Sequence, residues 1–367
     1  MTPESKINIQ RQRGFVLALT LWMLAILTIA AGFFSLWTQR AVTAAQTLQM
    51  DLQGEIDMQA TQANLIYLMA TQRFNIGGLT TPDKKSEEDS KSKTKILSTP
   101  NDFGEASILP EGGEIFLDDR PYFGSGKAYF ALQDESGLVN INLESMEAMS
   151  RLLNLLGIKK DLCPALVAKL RDYTDEDDLH LLNGAEKYEY NLLGLSPPSN
   201  RLLIVPWEAR RILDWDKQPA LWENDTLPQL TQALVAAHPN INTAPAIILQ
   251  AVYNLTDEAT ERVIKAREGL PFYEVSAVTQ IAGMTLDIDP EEADNFFPAS
   301  YLRLMLWYEN ARRMRQIHLQ ITPYADKSKP WMVHYTLNYG LLPRYTQLSP
   351  IRARTTLFDA TVSSETP

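Results

Sequence analysis

The sequence predicts an α+β fold: a long amino-terminal helix packed on an antiparallel sheet, with a large, mostly helical domain inserted between the strands. Three observations predict it. No charged residue occurs from Gly14 to Gln39, and no proline interrupts the chain from there to Phe74. The apolar pattern is helical from about Leu138 to about Phe297 and returns to a period of two from Tyr301. Neither group of strands flanking the helical block suffices for a sheet alone, so the two must meet in space.

The 367 residues leave room for two or three domains, and a 45 % apolar share supplies a core. The net charge of -11 and pI of about 5.0 oppose contact with phosphate backbones. Cys163 is the one cysteine, so no disulfide forms within the chain, and it is expected to be buried as a small hydrophobe.

Phe15 to Trp37 fits the roughly 20 apolar residues needed to cross a bilayer. Lys6, Arg11 and Arg13 precede it, which predicts a cytoplasmic amino terminus and export of the rest. The helical pattern continues from Thr38 to Phe74. Ala41, Ala45, Leu48, Leu52, Ile56, Gln59, Ala63 and Ile66 recur at three- and four-residue steps as one stripe, and Gly77-Gly78 ends the helix. The second half of the helix is expected to pack on a soluble domain.

The tract 82–95 is charged and reads as an exposed loop. Glu114 to Leu117 is a weak strand and Lys127 to Gln133 a better one. Helices are predicted at Ser145–Leu156, Pro164–Tyr173, Pro206–Leu213, Pro228–Ala237, Pro245–Tyr253, Asp257–Glu268, Val275–Ile281 and Pro290–Phe296. Strands follow at Tyr301–Tyr308, Met314–Ile321 and Trp331–Leu337. The segments are thus 1–14, a basic leader; 15–37, the membrane helix; 38–76, its continuation; 77–137, the first part of the sheet domain; 138–297, the helical insert; 298–340, the returning strands; and 341–367, a loosely ordered tail.

The insert carries an internal echo. Asn140-Ile141-Asn142 recurs as Asn240-Ile241-Asn242, and Val167 to Asp172 recurs as Val263 to Glu268 in the same order, which points to a degenerate duplication. Asn142 and Asn242 are placed to cap the helices that follow.

Carboxylates crowd the run Asp172 to Asp178, with Glu186 a short loop away. Closely packed hard oxygens suit Ca²⁺, although the spacing is not that of an EF-hand, and a solvated acidic turn is the plain alternative. No Gly-x-Ser-x-Gly, His-Glu-x-x-His or phosphate-binding glycine loop occurs, and His180, His238, His318 and His334 fall in four separate segments. A region from Asn242 to Phe272 looks like a helix-hairpin-helix, but its hairpin Asn254 to Glu258 is acidic and lacks glycine.

The junction Arg13-Gly14-Phe15, ahead of rather than behind the apolar run, resembles the class III signal of type IV pilins and type II secretion pseudopilins. With Phe130 to Asn142, the acidic run, Gly184-Ala185-Glu186 and Asn240 to Pro245, the ordered set resembles the K-type minor pseudopilin of the type II secretion system. The resemblance implies a pilin-like sheet domain and cleavage by prepilin peptidase between Gly14 and Phe15, with N-methylation. Leu19 stands at the fifth mature position, where most relatives of this kind carry Glu and the K type does not. A carboxylate in lipid needs a cationic partner, and a subunit at the tip has none to offer it.

The resemblance further implies a non-enzymatic subunit of the inner membrane that caps the pseudopilus tip and helps initiate it, so that folded proteins cross the outer membrane. Its partners would be the I- and J-type minor pseudopilins, bound through the helix stripe and sheet domain, and the inner-membrane platform; nucleic acid is not among them. Carried onto matching positions, the calcium ligands would be Asp172, Asp175, Asp177 and Glu186. Tyr173-Thr174 departs from the family's usual pattern. Competing readings are a single-pass anchored periplasmic enzyme or sensor, and a membrane-tethered DNA-binding protein.

Overall fold

The computed structural model describes residues 13–82, 108–235, 238–287, 296–322, 324 and 326–359. The expected leader to residue 12, most of the charged tract 82–95 and most of the expected helix Pro290–Phe296 lie outside the described residues. The chain divides into two compact units, Met1–Glu55 and Ile56–Pro367.

Helix α1 runs from Arg13 to Thr71. With no proline in its interior it reaches about 88 Å at 1.5 Å per residue. It is long and apolar enough to cross a membrane, and from Val16 to Gln53 every residue is exposed.

In the second unit, the sheet is six-stranded. Its strands are β3 (Asp118–Phe123), β4 (Ala128–Asp134), β7 (Tyr301–Tyr308), β8 (Arg313–Ile321), β9 (Trp331–Gly340) and β10 (Ile351–Arg352), in the order β10-β3-β4-β7-β8-β9. All neighbours are antiparallel except β10, which runs parallel to β3. Strand alternation sorts the side chains. Phe130, Leu132, Leu302, Leu304, Leu306, Ile317 and Leu319 form one core with Met58, Leu65, Leu68 and Met69 of α1.

The domain-facing side of α1 is therefore 57, 58, 61, 65, 68 and 69. The stripe read from sequence lies mostly elsewhere: Leu48, Leu52 and Ile56 are 69 %, 63 % and 50 % exposed, and only its end, Ile66, packs against this core. Hydropathy alone misses the true face because Asp57 and Thr61 belong to it. Asp57 accepts the Lys127 N–H at 2.9 Å, and Thr61 accepts the Ser125 N–H at 2.9 Å. These bonds hold the β3–β4 turn against the helix. A Cβ at Gly124 or Gly126 would collide with Thr61 or Asp57, so both positions require glycine.

The insert lies between β4 and β7. Among the described residues its α-helices of five or more residues are α2 (Met146–Leu155), α3 (Cys163–Thr174), α4 (Lys187–Leu192), α5 (Thr226–Leu230), α6 (Ala246–Tyr253), α7 (Asp257–Gly269) and α8 (Val275–Ala282). They enclose one core with fully buried Trp215, Leu152, Leu249 and Val263, and free Cys163 is buried in it. Two-residue strands β5 (Val139–Asn140) and β6 (Thr231–Gln232) pair within it, and β1 (Phe74–Asn75) and β2 (Gly78–Leu79) form a hairpin after α1.

The echoed motifs make matching bonds. Asn142 exchanges side-chain bonds with both backbone groups of Leu203, and Asn242 does the same with Phe272. Arg171 donates to the carbonyls of Asn142 and Glu144, and Arg267 to those of Ile241 and Ala244. The asparagines are thus clasps between segments, not helix caps. Ser145 caps α2 instead, accepting the Ala148 N–H at 3.1 Å.

Other expectations are corrected. The first strand of the six-stranded sheet is Asp118–Phe123, obscured in sequence by Pro121 and three charges, while the strand expected at Glu114–Leu117 is reduced to a single bridge between Ile115 and Leu79. Pro206–Arg211 is 3-10 helix. Pro228–Ala237 is not one helix, because Arg303 of β7 takes the carbonyls of Pro228, Gln229 and Thr231 at 3.3, 3.0 and 2.9 Å. The tail is ordered through Asp359: α9 (Pro343–Gln347) buries Tyr345, β10 joins the sheet, and Phe358 enters the core on α1.

Arg303 belongs to a buried polar chain on the sheet face opposite α1. Glu135 and His318 are 1 % and 0 % exposed and bonded to each other, with the Arg303 Nε 3.9 Å from Glu135. Burial pushes the Glu135 carboxyl up, but the His318 bond and the Arg303 charge hold it below its ordinary value. Burial holds His318 below its own, so a neutral imidazole donates from Nδ1 to a carboxylate. Gln316 donates to His318 Nε2, and Gln229 donates to Gln316 at 3.0 Å. Removing one partner of a buried ion pair costs about 3 to 5 kcal/mol. Arg303→Met is therefore expected to lower unfolding free energy by about that amount in denaturant titration, whereas the exposed Arg313→Met changes little.

Candidate metal site and the sequence-predicted residues

Asp172 sits in the last turn of α3, fully buried, and its carboxylate accepts the Leu181 N–H at 3.2 Å. Asp175 follows the helix as its C-cap. The chain then loops back to Gly184, where a Cβ would stand 1.9 Å from Asp172 Oδ2, so only glycine lets the loop close over this carboxylate. Two residues on, Glu186 is the N-cap of α4; its N–H donates to Glu189 at 3.0 Å.

Carboxylate oxygens of Asp172, Asp175 and Glu186 lie within 4.8 Å of one another. Both Glu186 oxygens and Asp175 Oδ1 are buried without a hydrogen-bond partner. Burial, then the charges of Asp172 and Asp175, push the Glu186 carboxyl up to about 7. Burial and the neighbouring Asp177 and Asp172 raise Asp175 as well. Unpaired buried carboxylates at this spacing need either protons or a cation. An all-oxygen set of three carboxylates fits a hard divalent ion such as Ca²⁺.

Of the four ligands expected from sequence, Asp172, Asp175 and Glu186 come together and Asp177 does not. Asp177 is exposed, and its carboxylate accepts the Leu179 N–H at 2.7 Å, forming a turn. Gly14 and Phe15 lie in the first turn of α1, and Leu19 stands on the same helix, 46 % exposed.

Sequence reading missed the buried residues that seat the insert. Asp134, at the end of β4, is fully buried and accepts five bonds. Ser136 supplies two, from N–H and hydroxyl at 3.0 and 2.6 Å; Asn240, Thr243 and the Ala299 N–H supply the others at 2.9, 2.9 and 3.0 Å. It ties the outgoing chain to the returning one. The signal was present in Asp134-Glu135, two charged residues at the end of an apolar strand.

Residues 130–221 and residues 239–295 each match a family model described as Type II secretion system (T2SS), protein K. No curated protein matches the chain. Among solved structures, a similar chain is found in the GspK-GspI-GspJ complex from the enterotoxigenic Escherichia coli Type 2 Secretion System. It is 16 % identical with a TM-score of 0.44, over 60 % of this chain and 83 % of that one.

The raised Glu186 predicts how stability depends on pH. A folded-state value near 7 against 4.5 unfolded means stability is full below about 4.5 and is lost as pH rises through 7. Without divalent ions, the melting temperature is expected to fall between pH 5 and pH 7.5. Glu186→Gln flattens that dependence. An unchanged slope in this variant would rule out Glu186 as its source.

Proposed function

The chain belongs to the type II secretion system protein K family, and on that premise we propose that it caps and helps initiate the pseudopilus as a non-enzymatic minor pseudopilin. The observation that carries this is the pairing, in one chain, of an exposed bilayer-length helix with an insert that matches protein K models on both sides of residue 230. Protein K is a pseudopilin of type II secretion, and the apolar helix supplies a single-pass anchor.

In this reading the chain is cleaved between Gly14 and Phe15 by prepilin peptidase and N-methylated. The amino terminus faces the cytoplasm and the sheet domain and insert face the periplasm. Leu19 replaces a carboxylate that would be costly in lipid without a cation, which suits a subunit with no neighbour ahead of it. I- and J-type minor pseudopilins pack along the stripe through Leu48, Leu52 and Ile56, and the inner-membrane platform receives the assembly. The bulk of the insert then stands at the end of the fibre, and export of folded proteins is supported by assembly, not by catalysis.

Asp172, Asp175 and Glu186 hold one Ca²⁺, which replaces the protons that the three carboxylates otherwise need. The ion supplies positive charge that fixes the loop between α3 and α4. These residues position that loop, and Gly184 lets it close.

Two outcomes are expected. Leu48→Cys gives disulfide cross-links to cysteines placed in the helices of the I- or J-type subunits, since native Cys163 is buried; absence of cross-links at Leu48, Leu52 and Ile56 alike would contradict the stripe. Calcium raises the melting temperature of the wild type at pH 7.5. It leaves Asp172→Asn with Glu186→Gln unmoved; equal calcium responses in both would remove the ion from this site.

A further inference from the structure

The six-stranded sheet has two unlike edges. At one, β3 is covered by the two-residue strand β10. At the other, β9 runs from Trp331 to Gly340, and among the described residues no strand pairs with its outer side.

The direction of its amides follows from one bond. Leu341 N–H donates to the Arg312 carbonyl at 2.9 Å, on the β8 side. Successive strand residues turn their backbone groups to opposite sides. Leu337 and Tyr339 therefore face β8, while Thr336, Asn338 and Gly340 present N–H and C=O outward. The same three residues are exposed.

Open edges are ordinarily blunted by lysine, proline, shortness or a bulge. From Trp331 to Gly340 there is no Lys, Arg, Asp, Glu or Pro. One bulge, opposite His318 and Leu319, lies near the start of β9 and leaves Tyr335 to Gly340 in unbroken register. Such an edge is a template for a further strand.

We propose that the outer edge of β9 accepts a β-strand from the sheet domain of a partner pseudopilin, one carrying carboxylates near its ends. The partner class rests on the assembly role proposed above; the edge chemistry does not. Both ends of β9 are net basic in a chain of net charge -11, with Lys327 and Lys329 outweighing Asp326 before it, and Arg313 opposite Gly340 with Arg312 beside it. A second copy is the wrong occupant. Identical edges related by a twofold pair antiparallel, which would set Lys327 and Lys329 of one copy beside Arg312 and Arg313 of the other. A strand flanked by carboxylates meets opposite charge at both ends.

The test uses the full chain produced in membranes with the I- and J-type pseudopilins of its own system. Thr336→Pro and Asn338→Pro each remove one outward N–H and leave the β8 ladder intact, a substitution edge strands tolerate. The melting temperature is expected to stay near that of the wild type, while recovered complex falls about tenfold for the double variant, as expected for two lost backbone bonds. Lys327→Glu with Lys329→Glu weakens the complex without changing any residue of β9, and serves if proline disturbs folding. Residue-resolved hydrogen exchange should show Thr336, Asn338 and Gly340 fast in the chain alone and slow in the complex.

Wild-type recovery of complex with both sets of variants, and outward amides equally fast in both states, would overturn the proposal. So would amides already slow in the chain alone, which would mean that the chain covers its own edge. Failure of the wild type to form any complex would instead sink the assembly reading, and the partner named here with it.

Discussion

The structure depends on a charge buried where two parts of the chain meet. One face of the sheet is apolar and closed by α1. The other carries Gln133, Arg303, Gln316 and His318 at positions that strand alternation would fill with apolar residues in an ordinary sandwich. These groups are tolerable only because the insert covers and satisfies them. Arg303 needs the carbonyls of Pro228, Gln229 and Thr231, and Glu135 needs Arg303 and His318. Asp134 then binds the chain leaving the sheet to the chain returning to it. An apolar joint could slide; a joint of fixed donors and acceptors has one register.

This constraint orders what surrounds it. With the insert seated, α3 and α4 hold Asp172, Asp175 and Glu186 together, and both Glu186 oxygens and Asp175 Oδ1 are buried there without a hydrogen-bond partner. Burial and the charges of Asp172 and Asp175 raise Glu186 from 4.5 to about 7, so ionising it at neutral pH is costly, and the proposed cation would offset that cost. The fold thus offers a rigid insert, a membrane-length helix and a sheet edge that remains open, features that suit a subunit working through contacts.

Much of this was legible in the sequence because the signals were periodic or local. The long helix followed from an uncharged run continued by helical spacing, α2, α3, α6, α7 and α8 from helical spacing with Ser, Pro or Asp opening all but α8, and the acidic cluster from close carboxylates. What was hidden depended on contacts distant in sequence. The face of α1 on the sheet includes Asp57 and Thr61, whose value lies in the turn they hold. β3 was concealed by Pro121 and its charges. The helix expected from Pro228 stops early because Arg303 competes for its carbonyls. Asp177 looked equivalent to Asp175, yet it closes a turn with Leu179 instead. Asn142 and Asn242 make matching bonds in the two echoed motifs, while their role as caps did not hold, because sequence shows spacing but not which distant backbone a side chain reaches.

The central claim, that this chain is a processed pseudopilin anchored by α1, is tested most directly at its amino terminus. Intact-mass and amino-terminal peptide mass spectrometry would be done on the protein taken from the inner membrane of cells with an active prepilin peptidase. The account predicts a chain beginning at N-methylated Phe15. A chain retaining Lys6 and Arg11 would contradict it and make α1 an unprocessed anchor, leaving the insert and sheet to be explained by another role.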